Sequence, residues 1–322
     1  MNARAEIYPP DPTRSVTTPE PSRPHQGRVI RTVEGYDVVD CASCGFIHVL
    51  PLPTSESLAQ VYAQDYYSSE KPDYLARASA DEDWARLFYD DRLDLIAAAL
   101  SDGRRRLLEI GSGPGHFLAR AAAGGWTTTG VEPSRQAAVF ARSQGLSIKN
   151  DFFDNRLAAE LACEEKPFDA LHMMNVIEHV PDPAGLLFQA LSLLGPGGVV
   201  CVGVPNDFNP LQRLLHERRG QAPWWVAPPH HLNYFSFESL ERLLIRLGLR
   251  PIARTTSFPM ELFAALGRNY IGNDALGREC HALRKAFDQD LQSCAPNQRR
   301  ALYQALAQAG FGREAVIIAV KP

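Results

Sequence analysis

Apolar and polar positions divide the chain into three stretches. Residues 1–28 hold six prolines among serine, threonine and arginine and show almost no apolar pattern. Such a segment cannot bury enough surface to offset the entropy of ordering, so we predict a disordered tail. Residues 29–80 carry short strand-like runs around Cys41 and Cys44, which predicts a small ribbon-like module.

From residue 81 the pattern changes to an alternation of helices and strands. Apolar residues recur at helical spacing over 81–100, and strands that are apolar on both faces then alternate with helices. This alternation favours a parallel sheet covered on both sides, an α/β doubly wound fold. The predicted strands are 106–110, 127–132, 146–149, 170–174 and 198–204, and the predicted helices are 115–123, 135–143 and 184–194.

Beyond residue 206 the alternation loosens. We predict a lid around 206–235, a helix over 237–247 that Ser236 caps, and a strand over 251–256. Residues 260–310 are predicted as a helical insertion and 315–320 as a final strand. The whole of 81–322 is thus one predicted domain.

Composition narrows the classes of partner. The net charge is −4 and the pI is about 6.2, so the sequence lacks the basic balance typical of nucleic-acid binding. No apolar run approaches the roughly 18 residues of a membrane span, and four of the six cysteines are scattered singly, unlike a disulfide framework. We predict a cytoplasmic protein with a small-molecule partner, no nucleic acid and no membrane.

A glycine-rich loop is the strongest chemical signal. Gly111, Gly113 and Gly115 join a strand to a helix, and alternating glycines let the backbone approach a ligand closely. The spacing G-x-G-x-G differs from the G-x-G-x-x-G of dinucleotide folds, which disfavours a nicotinamide dehydrogenase. Glu109 suits a ligand with a cationic portion, and Glu132 ends the second strand, where a carboxylate can accept both hydroxyls of a ribose. The loop therefore predicts a nucleoside cofactor.

Six motifs together resemble those of class I S-adenosylmethionine-dependent methyltransferases, in the branch with the ubiquinone-biosynthesis and small-molecule or sugar-modifying enzymes. The resemblance covers roughly residues 29–258 and the terminal strand. It implies a Rossmann-like doubly wound seven-stranded sheet with an antiparallel last strand, an N-terminal ribbon-like module and helical cap insertions. It also implies in-line SN2 methyl transfer from S-adenosyl-L-methionine to a small molecule, such as a sugar or other secondary metabolite. The motifs are residues 109–115, 130–134, 168–183, 194–198, 204–206 and 229–236.

The resemblance also assigns roles to individual residues. The three glycines cradle the methionyl end of the cofactor, Glu132 holds the ribose, and Asp151 and Phe152 flank the adenine. Phe152 as a core residue is the alternative. Asn175 ends the fourth strand and lines the cofactor near its sulfonium. The predicted cofactor-binding residues are Glu109, Gly111, Ser112, Gly113, Gly115, Glu132, Pro133, Asp151, Phe152 and Asn175.

Ligands of open α/β sheets bind beyond the carboxyl ends of the strands, which singles out two loops for catalysis. Glu178 and His179 follow the fourth strand, and His230 and His231 follow a pair of prolines. Each histidine is a candidate base, with a structural role in its loop as the alternative. Trp224 and Trp225 either wall an acceptor pocket or anchor the lid. The alternative function is a chain that binds the cofactor as a partner or regulator without catalysis.

The Cys41-x-x-Cys44 pair resembles half of a zinc ribbon. A closed zinc site takes four ligands, and no second Cys-x-x-Cys precedes this one. Only His25 and His48 lie nearby in the sequence. We therefore predict a ribbon that keeps its packing but holds no metal, with bound zinc as the alternative.

Overall fold

The computed structural model describes residues 15–18, 25–53, 78–101, 103–164 and 166–322, with only the backbone for 15–18. Much of the predicted tail (1–28) and residues 54–77 of the predicted ribbon-like module lie outside these ranges. Within the tail prediction, strands cover Ser15–Thr18 and begin again at His25.

The described residues form twelve strands and ten helices. The strands are β1 (Ser15–Thr18), β2 (His25–Val33), β3 (Tyr36–Cys41), β4 (Phe46–Leu50), β5 (Arg106–Ile110), β6 (Thr127–Val131), β7 (Ile148–Lys149), β8 (Phe168–Met174), β9 (Leu194–Pro205), β10 (Asn233–Tyr234), β11 (Arg250–Thr255) and β12 (Glu314–Val320). The helices are α1 (Glu82–Ala99), α2 (His116–Ala123), α3 (Arg135–Ser143), α4 (Asn155–Glu164), α5 (Pro183–Ser192), α6 (Pro210–Arg219), α7 (Phe237–Arg246), α8 (Glu261–Ala265), α9 (Asp274–Cys294) and α10 (Pro296–Gln308).

The larger sheet has seven strands in the order β11-β12-β9-β8-β5-β6-β7. Its pairs from β7 through β9 are parallel, whereas β12 runs antiparallel to both β9 and β11. Strands β8 and β9 are buried along most of their length, as expected for a sheet with helices on both faces. This arrangement confirms the predicted α/β fold with its antiparallel last strand.

Two helices were not predicted from the sequence. Helix α4 buries Leu157, Ala158 and Leu161, which recur at helical spacing, but the surrounding residues are mostly polar or small. Helix α6 begins with a capping box in which the side chain of Asn209 accepts from backbone N–H groups and Gln212 bonds back. Both helices bury a narrow apolar stripe, so the apolar pattern was too weak to reveal them.

The smaller sheet has the order β1-β2-β3-β4-β10. Strand β10 lies within the predicted lid, yet it pairs with β4, with Asn233 opposite His48. The amide of Val49 also donates to the carbonyl of Leu232 at 2.9 Å. The segment 206–235 is therefore attached to the N-terminal sheet by backbone hydrogen bonds.

Helix α1 lies between the larger sheet and the helical insertion. The guanidinium of Arg299 in α10 makes two hydrogen bonds with the carboxylate of Asp91, at 2.7 and 2.8 Å, and both side chains are buried. The indole of Trp84 donates to Asp288 of α9 at 2.8 Å. These contacts fix α1, which contributes Tyr89 to the wall of the main cavity.

Candidate active site

The main cavity has a volume of about 1170 Å³ and lies where the parallel strands of the larger sheet end. Its wall includes residues just after β5, β6, β8 and β9, the edge at which open α/β sheets bind ligands. Eleven predicted site residues line it: Glu109, Gly111, Ser112, Gly113, Glu132, Pro133, Phe152, Asn175, Glu178, His179 and His231. Three predicted residues do not: Gly115, Asp151 and His230.

The glycine loop bends tightly against the end of β8. Gly111 and Gly113 have φ angles of +75° and +52°, a region that favours glycine. A Cβ atom on Gly111 would lie 2.4 Å from Cγ2 of Val176, so a side chain does not fit there. Gly115 serves packing instead, because a Cβ atom on it would lie 2.5 Å from Leu146.

Glu132 is held by the same loop. Its carboxylate accepts the N–H of Gly113 at 2.7 Å and the N–H of Ser134 at 2.8 Å. The side chain is buried at the cavity wall. Burial raises the pKa of Glu132 to about 6, although the hydrogen bonds from the two amides oppose the rise. Each carboxylate oxygen keeps a lone pair that can accept a ligand hydroxyl.

Glu109 and His172 form a buried pair beneath the loop. Oε1 of Glu109 lies 2.8 Å from Nδ1 of His172, and the His172 ring stacks on Phe117 with 3.6 Å between ring centroids. Burial raises the pKa of Glu109 well above its ordinary value and lowers that of His172 well below its own. Both directions favour the neutral forms. Among the described residues, Oε2 of Glu109 and Nε2 of His172 have no hydrogen-bond partner, and both residues line the cavity.

Asp151 and Phe152, which follow β7, face different surroundings. The carboxylate of Asp151 accepts the N–H of Phe152 at 2.9 Å and bonds to Arg156, so local contacts hold it outside the cavity wall. The ring of Phe152 is 37% exposed and lines the cavity beside Phe153. Phe152 is thus a wall residue rather than part of the core.

Glu178, His179 and His231 meet at the end of β8. Nδ1 of His179 lies 2.6 Å from the carbonyl oxygen of His230, so that nitrogen carries a proton and donates it. In the neutral ring Nε2 is then the basic nitrogen, and it lies 3.6 Å from Oε1 of Glu178. The rings of His179 and His231 meet edge to face, with 5.0 Å between centroids. His230 takes part through its backbone carbonyl, while its exposed side chain does not line the cavity.

Comparison with known proteins decides the family. A family profile described as "Methyltransferase domain" matches residues 81–254, more than half of the chain. The chain belongs to this methyltransferase family. The match confirms the predicted resemblance to class I S-adenosylmethionine-dependent methyltransferases.

Curated relatives share part of this methyltransferase. It is 34% identical over 117 residues to a ubiquinone biosynthesis O-methyltransferase of Xylella fastidiosa (strain M23), which covers 36% of this chain and 48% of the relative. It is 39% identical over 131 residues to the protein of the same name from Caulobacter sp. (strain K31), covering 39% and 51%. The chain thus spans about half the length of the curated relatives it matches.

A solved structure shares the fold. The plantazolicin methyltransferase BpumL, determined in complex with SAH, superposes with a TM-score of 0.50 at 15% identity. The superposition covers 82% of this methyltransferase and 93% of BpumL. At this identity the similarity concerns the fold alone. No helix among the described residues of the methyltransferase has the length and apolar character that crossing a membrane requires.

The wall beyond β9, which is two places from β5 in the sheet order, carries acids that were not predicted from the sequence. We call it the acid end and define it by Asp207, Gln212 and Glu261, in contrast to the glycine end of Gly111, Gly113 and Glu132. Nε2 of Gln212 donates to Oε1 of Glu261 at 3.3 Å. Oδ2 of Asp207 and Oε2 of Glu261 are buried and have no hydrogen-bond partner in the part of the chain that the structure describes. Burial raises the pKa of Asp207 to about 8, so its carboxyl is protonated at neutral pH.

Two signals in the sequence point to the acid end. Asp207 closely follows β9, so the rule about strand ends applies to it as it does to Glu132. Arg313, another wall residue, directly precedes β12, whose antiparallel direction brings its amino end to the same edge. Gln212 and Glu261 lie on helices, where their approach depends on tertiary packing that the sequence pattern does not contain.

The wall of the cavity fits the cofactor of this family. The glycine end supplies a cradle that a Cβ atom would fill and a carboxylate with free lone pairs for a ribose. Oγ of Ser112 and Oε2 of Glu109 are further buried polar atoms at this end, and neither has a hydrogen-bond partner within the described ranges. Because unpartnered buried polar atoms are costly, they are better explained by a polar ligand than by packing alone.

Proposed function

We propose that this chain transfers a methyl group from S-adenosyl-L-methionine to a small-molecule acceptor rich in hydroxyl groups, such as a sugar or another secondary metabolite. The observation that carries the proposal is the presence of the glycine end and the acid end in one cavity, with His179 on the wall between the strands that bear them. A volume of about 1170 Å³ leaves room for two ligands together.

The glycine end would hold the cofactor. The backbone at Gly111 and Gly113 would lie against its methionyl portion, and Glu132 would accept its ribose hydroxyls. Phe152 offers an apolar face for the base. When bound, this cofactor supplies a methyl group on a sulfonium, which is a good leaving group. The protein therefore has to position the acceptor, exclude water and, where the acceptor arrives protonated, remove a proton.

His179 is the best-placed base. The carbonyl of His230 fixes its Nδ1 as a donor, so Nε2 is the nitrogen that would take the proton of an acceptor hydroxyl or amine. The nearby carboxyl group of Glu178 would stabilise the resulting imidazolium. His231 packs against the ring and limits its rotation. His179 is accordingly the proposed catalytic residue, and Glu178, His230 and His231 position it.

The acid end would bind the acceptor. A protonated Asp207 donates a hydrogen bond, the carboxylate of Glu261 accepts one, and the indole Nε1 of Trp225 is a buried donor whose hydrogen bond no described residue accepts. Hydroxyl groups both donate and accept, so a polyol satisfies this mixed set better than an apolar ring does.

The test measures turnover of purified protein with labelled cofactor and a panel of free sugars, nucleotide-linked sugars and metabolite extracts. On a true acceptor, His179→Ala should lower kcat by about 10²- to 10⁴-fold. His231→Ala should cost less, and His230→Ala less still, because alanine keeps the backbone carbonyl. Wild-type turnover by all three variants would contradict the base assignment.

The alternative is a chain that binds the cofactor without catalysis. Binding of S-adenosylhomocysteine without methylation of any extract component would favour it, whereas failure to bind would reject both readings. We also propose a cytoplasmic location, since none of the six cysteines is in a disulfide bond, as a reducing compartment favours.

A further inference from the structure

A second cluster of chemically active side chains lies in the five-stranded sheet, away from the main cavity. His25 opens β2, Cys41 ends β3, Cys44 follows in the turn and His48 lies in β4. One ligand atom from each lies within 4.8 Å of all the others, and three of the four residues are buried. None of the four lines the main cavity.

The distances approach those of a tetrahedral metal site. Nδ1 of His25 lies 3.4 Å from Sγ of Cys44 and 3.9 Å from Sγ of Cys41. Zinc at about 2.3 Å from sulfur and about 2.0 Å from nitrogen separates tetrahedral ligand atoms by roughly 3.4 to 3.8 Å. Shifts of side chains alone would therefore complete the coordination.

Hydrogen bonds to the backbone orient the ligands. Nδ1 of His48 lies 3.0 Å from the carbonyl of Val49, which leaves Nε2 as the nitrogen available to an ion. The amide of Cys44 donates to Sγ of Cys41 at 3.5 Å. Gly45, with φ +78°, closes the turn by donating to the carbonyl of Cys41 at 2.8 Å.

We propose that His25, Cys41, Cys44 and His48 form a closed structural zinc site. Two thiolates and two imidazoles are a set that zinc prefers, and four protein ligands leave no open position for catalysis. The absence of a second Cys-x-x-Cys led the sequence analysis to predict no metal. The pairing of β3 with β2, where Gly27 lies opposite Cys41, and with β4, which carries His48, brings the two histidines beside the thiols.

The zinc site also braces the loop that carries the proposed base. His48 pairs with Asn233 across β4 and β10. The side-chain amide of Asn233 donates to the carbonyls of Ile177 and Val180, at 2.9 and 2.7 Å, on either side of Glu178 and His179. An ion that fixes β4 therefore fixes the position of His179 through two residues.

The experiment is elemental analysis of the full-length chain, expressed with zinc in the medium and purified without chelator. About one zinc per chain is expected, and cobalt in its place should give the ligand-field bands of a tetrahedral site and a thiolate charge-transfer band. Cys44→Ser should lower the bound zinc at least about tenfold, since it removes a thiolate ligand. Cys163→Ser, which changes an exposed cysteine elsewhere, is the matched control and should keep it.

Several outcomes would overturn the proposal. Folded wild-type protein that holds only background zinc after reconstitution would do so, as would equal zinc in the Cys44→Ser and Cys163→Ser variants. If Cys44→Ser does not fold, the cobalt spectrum of the wild-type protein decides alone, and a spectrum without thiolate bands rejects the site. Chelation should also speed hydrogen exchange at the amides of Leu232 and Asn233, and unchanged exchange there would reject the bracing role.

Discussion

The two ends of the cavity are built in different ways. At the glycine end, Glu132 is held by amides from residues 113 and 134, all within one strand-helix-strand unit. At the acid end, Asp207, Gln212 and Glu261 come from a strand end and two separate helices. At the glycine end both oxygens of Glu132 accept backbone N–H groups, whereas at the acid end one carboxyl oxygen each of Asp207 and Glu261 has no partner among the described residues. The residues proposed to bind the cofactor thus lie close together in the sequence. The residues proposed to bind the acceptor come together only through tertiary packing.

The largest effect is expected at the glycine loop. Gly111→Ala places a Cβ atom 2.4 Å from Val176, so the loop must move and the cradle is lost. We expect affinity for S-adenosylhomocysteine, measured by calorimetry, to fall by at least about 100-fold, or about 2.8 kcal/mol. Gly125→Ala is the control, because Gly125 also has a positive φ (+86°) but nothing lies within 4 Å of its Cβ position. Equal binding by the two variants would show that the clash is irrelevant.

A smaller effect is expected at the ribose carboxylate. Glu132→Gln replaces one acceptor oxygen with an NH₂ group that faces a backbone N–H, so a hydrogen bond is lost at constant volume. Loss of one charge-assisted bond, at about 1.5 to 3 kcal/mol, should weaken S-adenosylhomocysteine binding by about 10- to 150-fold. Glu164→Gln, an exposed acid on α4, is the control. Binding unchanged within twofold would remove Glu132 from the cofactor site.

The smallest effect concerns stability at the acid end. The pKa of Asp207 is about 8 in the folded chain against an ordinary 3.8, so the folded state keeps a proton that the unfolded state releases. Stability should therefore fall as pH rises between these values. Asp207→Asn removes this dependence and should raise Tm relative to wild type more at pH 8 than at pH 4. The control Asp290→Asn changes an exposed acid and should shift Tm equally at pH 8 and at pH 4. If Asp207→Asn also shifted Tm equally at the two pH values, the raised pKa of Asp207 would be contradicted.

Local sequence accounts for most of the fold and for the glycine end. Strand β5 and helix α3 have the predicted bounds because apolar periodicity and end signals such as the Ser134 cap act over a few residues. Gly115 and Asp151 show the limit of this reasoning. Each stands at a motif position, but Gly115 packs against Leu146 and Asp151 bonds to its own loop. Their positions in the motifs did not reveal that Gly115 faces Leu146 or that the side chain of Asp151 turns toward its own loop.

The acid end and the zinc cluster needed the tertiary structure for a common reason. The acid end joins a strand end to two separate helices, and in the zinc cluster His25 lies 16 residues before Cys41 on another strand, so no periodic pattern links the members. His25 and His48 stood near the cysteines in sequence, but only strand pairing places their nitrogens beside the thiols. The zinc cluster can therefore be recognised only when the register of the paired strands is known.

The attachment of β10 to β4 limits how this protein can be cut or recombined. A fragment that starts at α1 would lose the strand beside Tyr234 and the ring of Phe46, which packs 4.7 Å from Phe235 between centroids. Apolar surface beneath the histidine loop would then face water, and two backbone edges would be open to other chains. Strands β2 to β4 are consequently not a detachable appendage, and exchanging them between homologous proteins would require β4 and β10 to be exchanged together.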